Sequence, residues 1–519
     1  MASSEALRDR RVVVVGAGIG GLVAALELAH RGMQVTVVEA AAKPGGKMRQ
    51  VLVDGVAIDA GPTVFTMRWV FDQLLADLGT SLEELVVLEP LGILARHAWR
   101  GMDGTLDLFS DTERSAQAIA EFSSAQEGRR FLSFCAQSRA LYRTLEGPYI
   151  RSQKPTLFSI ARDLGPQGLG VLMGLGPFAT MWGALSKQFR DPRLHQLFAR
   201  YATYCGSSPW LAPATLMLVA QVELDGVWSV QGGMHAVAVA LAALAQKKGV
   251  QFRYGMACNK IEVQGGRASG VLLANGERMA ADAVVFNGDA SALAQGLVGA
   301  AATGAASRVA VSTRSLSALT WSMYTRADGF PLVRHNVFFD NDYASEFDDI
   351  FRRRILPRQG TVYVCAQDRN DDARQPPGCE RLLCLVNAPP DGDTRPFDVS
   401  ETIPCETQSL ALLRQCGLIL QPQPHQVRLT TPHGFNQLFP GTGGALYGRA
   451  THGWMAAFQR PSSQSRLPGL YLVGGSVHPG PGVPMAAMSG RLAAATLTAH
   501  LDSTSRSRRV VISGGMLTP

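Results

Sequence analysis

Gly16, Gly18 and Gly21 stand in the order G-x-G-x-x-G directly after the apolar run Val12–Val15. Glycines at that spacing permit a tight turn, close backbone approach to a pyrophosphate, and contact between strand and helix. Leu22, Leu26 and Leu28, with Ala24, Ala25 and Ala29, predict a short helix whose N-terminus faces the anion. "QVTVVEA" predicts the next strand and ends on Glu39, a carboxylate placed to accept hydrogen bonds from ribose hydroxyls. An acid at that point disfavours a 2′-phosphate, and so disfavours NADP. Far later, "YLVGGSVHPGPGVPMAAMSGR" repeats the grammar: a buried-strand pattern, a turn over Gly474–Pro484, then an Ala-rich helix. One corner cannot grip both ends of a long dinucleotide, so a second one implies a two-ended ligand.

Those corners need a scaffold. A chain of 519 residues is long enough for two or three lobes. Its 46% apolar and 18% charged content fits a globular protein. The formal charge is +7, yet the basic residues are scattered and not interleaved with aromatics, which argues against nucleic acid. The eight cysteines include no C-x-x-C pair, so neither zinc nor dithiol chemistry is supported and no metal is expected. Arg8–Arg11 followed by apolar residues mimics a signal peptide, but Gly16, Gly18, Gly20 and Gly21 interrupt it, and a cytoplasmic location is expected. Leu164–Ser186 is 23 residues without a charge, broken by six glycines, Pro166 and Pro177. Those breaks suit a pair of short helices resting in a membrane interface better than a spanning helix.

The first corner is followed by "KPGGKMR", where Gly46, Lys47 and Arg49 bring backbone and positive charge back toward the ligand, and then by "DAGPT". With Glu39, this ordered series resembles the FAD-binding flavoproteins of the amine-oxidase and carotenoid-desaturase group. The resemblance runs from about Arg11 to His500. It is strongest for the bacterial phytoene-desaturase-like carotenoid desaturases, through "RYATYCGSSPWLAPATL", "WSVQGGMHAVAVALAALAQKKGVQF" and the C-terminal corner. Within them the Gly-Gly-Ser-Val-His-Pro-Gly-Pro-Gly form is most similar to the hydroxycarotenoid 3,4-desaturases.

The resemblance implies an α/β fold in which a Rossmann-type FAD-binding domain is assembled from discontinuous segments, 9–85, 229–295 and 462–502. An inserted α+β substrate domain would take 86–135 and 296–461, a helical membrane-facing region 136–228, and a polar tail 503–519. The implied FAD contacts are Gly16, Ala17, Gly18, Gly21, Glu39, Gly46, Lys47, Arg49, Thr63, Val64, Cys258, Asn287, Leu446, Gly474, Gly475, Val483 and Pro484. The implied activity is desaturation of an acyclic carotenoid delivered from a membrane to a peripherally associated protein, with oxygen or a quinone as electron acceptor.

Loss of hydride from one carbon leaves a proton to be taken from its neighbour. His478, in the second corner, and His235, after Gly232-Gly233, are the candidate bases; Glu223 and Asp225 form a third choice, and water a fourth. Tyr447 and Trp454 are candidate channel aromatics, with core packing as the plain alternative. Asp340, Asp342, Glu346, Asp348 and Asp349 are spaced irregularly for a metal loop and are expected on a solvated face. A carotenoid isomerase or saturase, a phytoene desaturase, an amine oxidase and a lipid-masking protein on the same fold remain as rival readings.

Overall fold

The computed structural model describes residues 7–174 and 178–512. Pro177, expected as one break in the uncharged stretch, and the tail beyond residue 512 lie outside the described residues.

Val12, Val13 and Val14 are buried because they form the middle of a five-stranded parallel sheet, covered on both faces. Its strand order is Leu470–Leu472, Ala283–Phe286, Arg11–Val15, Gln34–Val38, Gln251–Arg253. Three regions of the chain far apart in sequence therefore supply one sheet. Val14 registers between Val285 on one side and Val37 on the other. Two helices, Ile19–His30 and Val483–Ile512, leave the C-terminal ends of the strands that begin the two glycine corners. They pack closely: a Cβ added at Gly490 would lie 2.4 Å from the Gly20 carbonyl oxygen.

The second lobe is a seven-stranded sheet. Its order is Val427–Thr430, Ser317–Thr325, Glu380–Ala388, Val362–Ala366, His335–Phe339, Ile93–Trp99, Leu106–Phe109. All its pairs are antiparallel except His335–Phe339 with Ile93–Trp99. Between the lobes the chain is helical, including Ala125–Leu145, Leu157–Gly174 and Met181–Gln188. The uncharged stretch is interrupted where expected at its start: Gly165 has φ 60°, just before Pro166. No helix among the described residues is long and apolar enough to cross a membrane.

The acidic cluster departs from expectation. Asp340, Glu346 and Asp349 are buried, not solvated. Asp340 accepts from Arg100 at 2.6 Å and Asp349 from Arg353 at 2.9 Å, while Glu346 accepts from Asn387 at 2.7 Å and from Thr361. Asp342 stays exposed, as expected, and accepts from the Ser345 amide at 3.1 Å, while half-buried Asp348 pairs with Arg352 at 2.5 Å.

Candidate functional site

Gly16 takes φ +100°, a conformation that favours glycine, and turns the central strand into the helix at Ile19. Gly21 presses on that turn: a Cβ there would sit 2.2 Å from the Gly16 carbonyl oxygen. Glu39 braces the loop from the neighbouring strand, its two carboxylate oxygens accepting from the Ala17 amide at 2.6 Å and the Ala41 amide at 2.8 Å. The second glycine pair folds back as its spacing suggests. The Gly45 amide donates to the Ala17 carbonyl at 2.9 Å, and a Cβ on Gly46 would lie 3.1 Å from the Gly18 Cα.

The C-terminal corner meets the first one directly. A Cβ on Gly20 would be 2.9 Å from the Gly474 nitrogen, which itself donates to Ser489 Oγ at 2.8 Å. Asn287, at the end of the strand Ala283–Phe286, reaches the Gly16 carbonyl with its amide at 3.3 Å. Both corners and all three segments thus border one cavity of about 1030 Å³.

Gly16, Gly18, Glu39, Gly46, Lys47, Thr63, Val64, Cys258, Asn287, Leu446, Gly474, Gly475, Val483 and Pro484 line that cavity. Three residues of the expected set stand back from its wall. Ala17 gives its amide to Glu39, Gly21 is packed on Gly16, and Arg49 turns to Thr430 Oγ1 at 3.1 Å and the Phe435 ring. Tyr447 and Trp454 both line the cavity.

Lys47 is half-buried, donates its ammonium to the Leu446 carbonyl at 2.5 Å, and is pushed below the usual lysine range by desolvation, against the pull of Asp289. Arg460 donates to the carbonyls of Tyr447 at 3.0 Å, Arg449 at 2.7 Å and Gly475 at 3.3 Å, fixing the second corner from behind. Burial raises Asp289, which also lines the cavity. Neither Arg460 nor Asp289 has a motif that marks it in the sequence; each gains its place from tertiary packing.

The two candidate bases are not on the cavity wall. His478 donates Nε2–H to the Ser152 carbonyl at 2.9 Å, and burial pushes its imidazole down to about 4. His235 donates Nε2–H to the Pro44 carbonyl at 3.0 Å, holding the loop that carries Gly45 and Gly46. Both rings serve the backbone, because each corner must be fixed from outside to present its amides inward. Asp225 also stays off the wall, accepting from Gln221 at 2.6 Å. Glu223 does line the cavity. It accepts from Tyr201 at 2.6 Å and Tyr204 at 2.7 Å, close to Arg200. Burial opposes the Arg200 charge, but Tyr204, Glu223 and Tyr201 hold the guanidinium protonated above its ordinary value.

A dinucleotide fits these residues. The glycines leave room that a Cβ would fill, two helix N-termini converge on the space, and half-buried Lys47 and buried Arg460 line it. The rest of the cavity is mostly apolar and continues to Ile160, Leu172, Met173 and Trp454. Around that end Phe158, Met173, Phe178, Leu211 and Trp454 are exposed, and the Phe178 and Trp454 rings meet edge-on at 5.8 Å.

The family described as flavin containing amine oxidoreductase matches residues 19–498. The chain is 69% identical over 515 residues to the hydroxyneurosporene desaturase of Rubrivivax gelatinosus, covering 99% of this chain and 98% of that protein. It is 44% identical over 499 residues to the hydroxyneurosporene desaturase of Cereibacter sphaeroides, covering 96% and 99%. Among solved structures it superposes on an oxidoreductase from Methanosarcina mazei with TM-score 0.59 and 16% identity, covering 93% and 99%, which speaks to the fold alone.

Proposed function

The chain belongs to the flavin containing amine oxidoreductase family, and from that premise we propose that it is an FAD-dependent desaturase of acyclic carotenoids, acting at the 3,4 position of a 1-hydroxycarotenoid. The observation that carries the reading is the continuity of one cavity from two glycine corners to an exposed apolar rim. FAD, when bound, supplies the acceptor for the hydride taken from the substrate. The chain's own residues bind, orient and dry the site. The FAD contacts are those of the two corners, the Gly46–Lys47 segment, Thr63, Val64, Cys258, Asn287 and Leu446. The FAD-binding part comprises 9–85, 229–295 and 462–502, and the inserted lobes form the substrate chamber.

An insoluble polyene needs delivery from a bilayer. Phe158, Met173, Phe178, Leu211 and Trp454 form the surface that would rest in the membrane interface, with the helix pair around Gly165 lying along it. The protein is then a peripheral one at a cytoplasmic membrane face, and its net positive charge suits anionic lipid. Of the candidate bases Glu223 alone lines the cavity and is the group to which this reading assigns the released proton; the histidines instead fix the corners. Electrons then pass to oxygen or a quinone.

The test is anaerobic incubation of the FAD-loaded protein with liposomes carrying hydroxyneurosporene, neurosporene or phytoene, with products read by absorption and mass. The expected product gains one double bond and loses two hydrogens, in step with bleaching of the oxidised flavin band. Conversion of phytoene but not of the hydroxylated carotenoid would exclude the 3,4 assignment.

A further inference from the structure

The cavity wall changes character where the seven-stranded sheet forms its floor. Thr320 pairs with Leu385, Leu385 pairs on its other side with Tyr363, and Asn387 lies two residues farther along the same strand. Strand alternation puts these four on one face, the face that lines the cavity. The short helix Tyr343–Phe347 adds Tyr343 to the same wall.

Two of these residues carry buried oxygens with nothing to bond. Thr320 is 3% exposed and Tyr343 7%, and among the described residues neither Thr320 Oγ1 nor Tyr343 Oη has a hydrogen-bond partner. Buried hydroxyls in folded proteins are nearly always paired, so orphans that line a ligand cavity point to a polar group on the ligand. Asn387 is set differently: its amide nitrogen donates to Glu346 Oε1 at 2.7 Å, which leaves its carbonyl oxygen as the acceptor. Two donors and one acceptor match the needs of a single alcohol, which offers one proton and two lone pairs.

We propose that Thr320, Tyr343 and Asn387 form a subsite that receives the terminal hydroxyl of the carotenoid and selects hydroxylated over unhydroxylated ends. The proposal rests on the desaturase reading above and deepens it. Its position is consistent with that chemistry. The hydroxyl-bearing C1 is two bonds from C3, so the hydroxyl and the reacting bond lie close together. Thr63, from the segment expected at the cofactor, shares a 2.7 Å hydrogen bond with the Tyr363 hydroxyl on the same sheet face. The polar wall is thereby tied to the cofactor segment.

The experiment uses neurosporene and 1-hydroxyneurosporene, which differ at that end by hydration, with the full-length FAD-loaded protein. Binding is measured under anaerobic conditions with the flavin already reduced, from carotenoid transfer out of liposomes, and turnover is measured separately with oxidised flavin. Wild type should prefer the hydroxylated carotenoid by about tenfold or more in binding. Thr320→Val and Tyr343→Phe should each remove a large part of that preference, and the double variant should erase it while keeping the flavin. Thr320→Ser, which retains the hydroxyl, should restore the preference and guards against a fold defect in the valine variant. A double variant as selective as wild type, or a wild type without preference, overturns the subsite. A wild type that binds the hydroxylated carotenoid preferentially yet desaturates neither overturns the desaturase reading and supports the subsite.

Discussion

Replacing Gly490 by alanine sets two effects of opposite sign against each other. In a helix interior the change ordinarily stabilises by about 1 kcal/mol, because glycine gives up more backbone freedom. Here the added Cβ would stand 2.4 Å from the Gly20 carbonyl oxygen, 3.0 Å from the Ala24 nitrogen and 3.1 Å from Val23 Cβ. Two of those neighbours are backbone atoms that cannot swing aside, so the overpacking cost belongs at the upper end of its range, about 3 kcal/mol. The steric term wins by about 2 kcal/mol. It is relieved by moving the C-terminal helix away from the first one, which separates the corners at Gly20 and Gly474. Expressed as lost FAD affinity, 2 kcal/mol is about 30-fold. Gly170→Ala is the control: it lies in a helix and nothing stands within 4 Å of its Cβ position. Apoprotein titrated with FAD by flavin fluorescence, together with thermal midpoints, reads both changes. Gly490→Ala should bind FAD about 10–30-fold more weakly and melt lower, while Gly170→Ala keeps its affinity and melts no lower. Affinity for FAD unchanged in Gly490→Ala would refute the coupling of the corners through that crossing.

Glu39→Ala removes the carboxylate that accepts from the Ala17 and Ala41 amides, and should weaken FAD retention about tenfold or more, seen as flavin lost on gel filtration. Three buried histidines and the half-buried His452 are pushed down by desolvation, His97 and His335 to about 3, His452 and His478 to about 4. Below about pH 6.5 the unfolded chain takes up protons that the folded chain refuses, so acid favours unfolding. Stability should be full above that pH and fall steadily toward pH 4, whereas a flat urea midpoint between pH 6.5 and 4.5 would contradict the burial of these rings. Glu380→Gln leaves buried Arg369 without its charged partner, now bonded at 2.6 and 2.8 Å, and should cost about 3–5 kcal/mol in unfolding experiments while the FAD affinity of the folded protein is unchanged.

The cofactor end was legible because its chemistry is local. Gly16, Gly18, Glu39 and the Gly46–Lys47 pair lie within one short stretch, and the spacing itself encodes strand, turn and helix. Asn287 and Gly474 lie far away, yet each follows a short apolar strand and so carried a local mark. Turn chemistry is just as local: Gly265-Gly266 and the turn around Asn275-Gly276 join the strands Cys258–Gln264, Arg267–Leu273 and Arg278–Ala280. For the histidines, residue type suggested a base, while their partners are backbone carbonyls of Ser152 and Pro44, which sequence does not display. Thr320, Tyr343 and Asn387 are ordinary residues of a strand, a short helix and another strand. Nothing in their neighbours along the chain says that a sheet register will bring them to one wall.

The strand order of the nucleotide sheet also bears on how the protein is made. Synthesis runs from the N-terminus, and the first corner emerges long before the strand at one edge of this sheet, Leu470–Leu472. Until it is out, Ala283–Phe286 has an open edge and the Gly474 turn does not exist. A nascent chain on the ribosome therefore holds half a flavin site beside an unpaired strand, a state open to mispairing. A complete flavin site therefore waits for the second corner, which borders the same cavity as the first. A supply of FAD would act less as a template for early folding than as a clamp once both corners are in place.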